Sequence, residues 1–402
     1  MAPGTGKFSL TLHDLTEGLL ATISFHTASL SLLGRMPPLH LLLISLVFLP
    51  GQILARIVQL EYLFTLDPGA SASVQLYGAV FGVVSSAILL RGKRSSSSRG
   101  GAKNYIPSSV SLCGSFLLAL SSLIINTLGV PEHQEEFVIL NTCFIQSATI
   151  TAAGGVLIGI SSLKRKPLNF QLLQGSLIAG GVAAAAIAGT QIEPWGATAL
   201  GIVTGVCMVL GGLLVEPALG ECLGVPISYC SLSIHGLPAL LGGFAGILMA
   251  GLAEEKQGAV VYGLNLYKLY PGRVYPPGLS SPGCEHINKT ALEIQTCPMS
   301  TEEILMLVDP SLPTLGRSAA DQATMQAVFL LIVIGLGVGS GILGGLLACL
   351  MDRIGGRGMP REAWYDSTCF LETSGDGAAA AGSSLKHMGH YGQKQLHDDH
   401  EA

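Results

Sequence analysis

The chain has 402 residues, of which 49% are hydrophobic and only 12% charged, and its mean hydropathy is +0.54. A soluble domain carries about 25% charged residues, so a bilayer rather than water is the solvent this composition suits. The formal net charge of -5 points away from nucleic acid, and nine cysteines without CxxC or Cys/His spacing indicate neither a zinc site nor a redox pair.

A hydrocarbon core of ~30 Å takes about 20 apolar residues per helix. Nine runs qualify, near 16–34, 38–63, 71–91, 108–128, 136–161, 170–188, 194–214, 231–252 and 322–351. The predicted fold is therefore all-α, a polytopic transmembrane helical bundle with short connections. Its 52 glycines suit helices that associate through close backbone approach. No internal repeat is evident.

Lys and Arg mark the cytoplasmic loops. Arg35 follows the first run, Arg91 to Lys103 the third, Lys164-Arg165-Lys166 the fifth, and Arg353, Arg357 and Arg361 the ninth. The exit of the seventh run, Leu214 to Gly224, breaks the pattern with Glu216 and Glu221 and no basic residue. This asymmetry predicts an extracellular segment 1–15, a transmembrane domain 16–352 with an extracellular loop 253–321, and a cytoplasmic tail 353–402. Met1 to Leu15 lacks the pattern of a signal peptide, so an upstream segment is expected. The outer loop contains the sequon Asn288-Lys289-Thr290, a candidate glycosylation site, flanked by Cys284 and Cys297 as a candidate disulfide. The tail has low-complexity and His-containing stretches whose spacing fits no metal site.

Ionisable residues inside spans are costly and mark sites. His235 opens the eighth run in Ser233-Ile234-His235-Gly236-Leu237-Pro238, where an imidazole among small residues can bind a polar solute or carry a proton. His26 and His40 have no motif around them and read as packing residues. Arg56 and Glu61 fit one helical face poorly, so Arg56 is expected to bond another helix. Asp67-Pro68 reads as an N-cap with a proline in the first turn, and its carboxylate also as a cation-attracting group at the outer mouth. No nucleophile, phosphate loop or ligand set points to an enzyme.

Four stretches together resemble the Rh family of the ammonium transporter, methylammonium permease and Rh (Amt/Mep/Rh) superfamily. They are Asp67 with Tyr77-Gly78-Ala79-Val80-Phe81-Gly82; Ala179-Gly180-Gly181-Val182-Ala183 with Pro194-Trp195-Gly196-Ala197; His235-Gly236-Leu237-Pro238 with Leu241-Gly242-Gly243; and Tyr365-Asp366 after the last span. The resemblance implies a trimer with one pore per subunit and a twelve-span ammonium-transporter fold, of which nine spans are present here and the first three absent. It implies ammonium or ammonia as solute, with no cofactor, in the plasma membrane.

Conducting members place two histidines along the pore. His235 matches the later one, whereas Gln75 stands where the earlier belongs. Asn126 is kept, but Ile125 replaces an expected aromatic gate residue. These departures resemble the erythroid Rh blood-group polypeptides, as does Leu223-Gly224-Val225-Pro226. That subgroup implies an alternative: a non-conducting structural subunit that assembles with an Rh glycoprotein, as homo- or hetero-trimer, with a membrane-skeleton link.

Overall fold

The structure, a computed structural model, describes residues 12–32, 38–90, 105–128, 136–164, 170–190, 192–223, 231–253, 270, 272, 280–288, 293–298 and 317–354. All nine expected runs are helical within them. They are α1 (Leu12–Leu30), α2 (Pro38–Ile57), α3 (Tyr77–Leu90), α4 (Tyr105–Leu128), α5 (Glu136–Leu163), α6 (Phe170–Ala185), α7 (Pro194–Leu210), then a short α8 (Glu216–Leu223), α9 (Leu237–Leu252) and α10 (Ala319–Ile354). Among the described residues, six stretches are long and apolar enough to cross a membrane: Leu39–Leu63, Ser71–Leu90, Ile139–Leu163, Pro194–Leu223, Leu232–Leu252 and Ala319–Met351. Shorter apolar segments, Cys113–Ile124 and Leu172–Ala185, lie in α4 and α6. The basic loops that carry the orientation argument lie mostly outside the described residues.

Two departures from the expected boundaries have local causes. The sixth run ends early, because the chain turns repeatedly from Ala186 through Gly189, whose φ is 79°. The seventh run continues through a π turn, Gly211–Val215, into α8. Further π turns extend α2 (Val58–Leu63) and precede α3 (Ser71–Leu76) and α9 (Leu232–Gly236). Such widened turns recur at functional sites, since they shift the register of side chains against neighbouring helices.

The helices meet through aromatic and small residues. Phe48 of α2 sits among Phe25, Tyr77 and Phe81 at centroid distances of 5.3, 5.1 and 4.9 Å, which joins α1, α2 and α3. Each aromatic pair adds about 0.5–1.5 kcal/mol beyond burial. The Tyr77 hydroxyl donates to the Phe48 carbonyl at 3.0 Å and lies 2.8 Å from Ser340 Oγ, tying α10 to the same cluster. Outward, by contrast, Leu46, Leu117 and Leu331 are about two-thirds exposed. An exterior this apolar is covered by lipid or by partner helices rather than by water.

The 253–321 segment departs from the all-α expectation in one place. β1 (Ser280–Asn288) and β2 (Glu293–Pro298) form an antiparallel hairpin in which Glu285 pairs with Thr296.

Candidate functional site

A cavity of about 340 Å³ lies between α1, α4, α6 and the π turns preceding α3 and α9. Its walls are mostly aliphatic, and its polar side chains include Thr27, Gln75, Ser122, His26 and His235. Gln75 and His235, expected on the pathway, therefore reach one space from two different π turns. His26, expected to be a packing residue, opens onto that space as well. Sequence reasoning missed it because nothing adjacent in the chain shows which way its helix faces.

Hydrogen bonds hold this geometry from three sides. Thr27 Oγ1 donates to Gln75 Oε1 at 2.8 Å and shares that proton with the Ile23 carbonyl at 3.1 Å. Ser24 Oγ donates to the Val74 carbonyl at 2.8 Å, and Ser231 Oγ to the Thr27 carbonyl at 3.2 Å. One turn of α1 is thereby tied to both π turns. His235 is 9% exposed, and its Nδ1 is buried with no hydrogen-bond partner. An unmatched ring nitrogen is costly in apolar surroundings, and the ring that carries it lines the cavity.

Glu216 explains the odd acidic exit of the seventh run. Although charged, it is 6% exposed, and its Oε1 accepts the backbone N–H of Ser233 at 2.9 Å. The carboxylate thus caps the start of the turn that carries His235 instead of facing the aqueous loop.

Asp67 is 3% exposed and does not line the cavity. Its Oδ2 accepts the N–H groups of Ala72 and Ser73, both at 3.0 Å, and the Ser73 hydroxyl at 3.1 Å. Pro68 does not begin the helix as expected. The chain first makes a turn through Ala70, whose φ is 53°, and the helical segment starts at Ser71. Phe64 is also left-handed, with φ 48°, so two strained residues bracket Asp67. Burial raises its carboxyl above the usual range, opposed by the Ser73 and Ala72 hydrogen bonds and the charge of Arg56.

Arg56 bonds across to α1: its Nε donates to Glu17 Oε2 at 2.9 Å, its Nη2 pairs with Glu17 Oε1, and its Nη1 donates to Gln59 Oε1 at 2.8 Å. Ile125 and Asn126 fall in the last turn of α4, and Asn288, Cys284 and Cys297 on the hairpin strands. Their side chains lie outside what the structure describes.

Residues 20–272 match the profile of the Ammonium Transporter Family. The chain belongs to that family. Among curated relatives, Ammonium transporter Rh type C of Gasterosteus aculeatus is 28% identical over 257 residues, 63% of this chain and 52% of that protein. Rhesus-like glycoprotein A of Dictyostelium discoideum is 23% identical over 368 residues, 92% of this chain and 60% of that protein. The chain thus spans between about half and three-fifths of the length of these relatives. A solved structure described as Nitrosomonas europaea Rh50 superposes with a TM-score of 0.58 at 17% identity, covering 96% of this chain and 82% of that one. At that identity the likeness establishes the fold alone, a helical membrane bundle. Both of these curated relatives carry Rh-type names.

Proposed function

We propose that this chain is a multi-pass plasma-membrane subunit of Rh type that passes ammonia or ammonium through the cavity beside His235, with its C-terminus cytoplasmic. His235, which lines a mostly aliphatic cavity and keeps a buried ring nitrogen without a hydrogen-bond partner, carries this reading. A neutral imidazole there offers ammonia a hydrogen bond, and it takes up or releases the proton that ammonium sheds. Gln75 serves as a hydrogen-bonding wall residue, because an amide does not exchange protons near neutral pH. Asp67 acts at one remove, by holding the π turn that presents Gln75. Ile125 and Asn126 would border the pathway from α4. Assembly is as a homo-trimer or as a hetero-trimer with an Rh glycoprotein. The relatives' names, ammonium transporters of Rh type, agree with the solute.

The test is stopped-flow pH recording on liposomes carrying the purified protein under an ammonium gradient. Proteoliposomes are expected to alkalinise faster than empty ones, and His235→Ala to return the rate to that of empty liposomes. A wild-type rate equal to that of empty liposomes would sink the conducting reading.

That outcome would favour the second reading, a structural subunit tied to a conducting partner and the membrane skeleton. One observation speaks for it: the Gln75 carbonyl oxygen is already occupied by Thr27.

A further inference from the structure

Two imidazoles, not one, open onto the cavity. His26 comes from α1 and His235 from the π turn before α9. His26 is not placed there by chance packing. Its neighbour Thr27 is clamped by its hydroxyl to Gln75 and by its carbonyl to Ser231, while Ser24 bonds to Val74. These three bonds set the rotation of α1 against both π turns and so fix the face from which His26 projects. His26 lines the cavity as an exposed residue, whereas His235 is buried, which costs free energy unless the ring bonds to something, and it still has a ring nitrogen without a partner.

We infer that His26 is the second proton-carrying group of the pathway, working opposite His235 in the role for which Gln75 is chemically unsuited. The inference rests on the reading of the cavity as an ammonium pathway. The ligand class is a small nitrogen base, ammonia or methylamine, with its conjugate acid. The conjugate acid gives its proton to one ring nitrogen, the neutral base is held between the two imidazoles, the protonated ring passes that proton to the other ring, and the second ring returns it to the base on the far side. Nothing is consumed, and each ring ends as it began. Glutamine at position 75 then needs only to hold α1 in place, which its bond to Thr27 does.

The test has two arms on the full-length protein. In the first, His26→Cys and His235→Cys are combined and treated with a short bifunctional thiol reagent, and the link is mapped by mass spectrometry, which separates it from links to native cysteines. A 26–235 link is expected, and its absence from protein that elutes as wild type overturns the pairing whether or not the protein conducts. In the second arm, His26→Gln is compared with wild type in the liposome assay. Loss of roughly tenfold or more in flux is expected. Adding Gln75→His to the same variant returns a histidine to the cavity and is expected to restore much of the flux. Flux in His26→Gln within about twofold of a conducting wild type overturns the inference. Should His26→Gln fail to elute as wild type, His26→Asn replaces it under the same criterion. A silent wild type overturns the conducting reading instead, and the pairing then stands or falls on the cross-link.

Discussion

Gln75 and His235 occupy matching positions in two parts of the bundle. Each lies in a π turn, seven residues before a glycine, Gly82 or Gly242, at which an added Cβ would run into the carbonyl of an alanine, Ala28 of α1 or Ala183 of α6.

Gly82→Ala and Gly242→Ala should both destabilise the protein. A Cβ at either position would meet the backbone of the facing helix, which cannot rotate away as a side chain can. We expect a cost of about 1–3 kcal/mol for each, read as a lower unfolding temperature in detergent. Gly155→Ala, where a Cβ has open space, is the control and should be near neutral or stabilising.

Thr27→Val keeps the side-chain shape and removes the hydroxyl. The Gln75 carbonyl oxygen then loses its partner, at a cost of about 1–3 kcal/mol in thermal stability. Because α1 is released from the π turn before α3, flux should fall as well. Unchanged stability and flux would show that this bond does not position the site.

Glu216→Ala should act on the pathway without touching it. Losing the carboxylate removes the side-chain acceptor of the Ser233 N–H two residues before His235, for which we expect about 1–2 kcal/mol of destabilisation. Glu216→Gln retains an acceptor and should lie between the alanine variant and wild type. Equal behaviour of the two variants would count against a capping role.

The Arg56–Glu17 pair joins α2 to α1 with side-chain exposures of 12% and 27%. Arg56→Ala should cost about 2 kcal/mol, between the exposed and buried cases. The charge-swapped double variant, Arg56→Glu with Glu17→Arg, should recover part of that loss. A double variant no better than the worse single one would argue that Gln59, not Glu17, is the partner that matters.

On the hairpin, Cys284 and Cys297 each lie one residue beyond the Glu285–Thr296 pair. We expect a disulfide between them, visible as a linked peptide in a non-reducing digest, and a glycan at Asn288 that a glycosidase removes. An unlinked digest, or no mass change with glycosidase, would refute the respective assignment.

The sequence by itself determined the solvent, the fold class and the family. Low charge and nine long apolar runs are properties of segments, and each segment records its own burial without reference to the others. His235 was legible for the same reason, since an imidazole in an apolar span is conspicuous wherever it points. Asp67 was legible as a cap, but not the turn through Ala70 that delays the helix to Ser71. Arg56 plainly needed a partner, while Glu17, far away in the chain, could be named only from the packed helices. Tertiary structure alone decided that His26 faces the cavity and that Glu216 serves Ser233. These depend on the rotation of one helix against another. Side chains of Thr27, Ser24 and Ser231 set that rotation through bonds across elements, and no local periodicity encodes it. His26 and His235 are two isolated histidines along the chain and become one site only in the folded bundle.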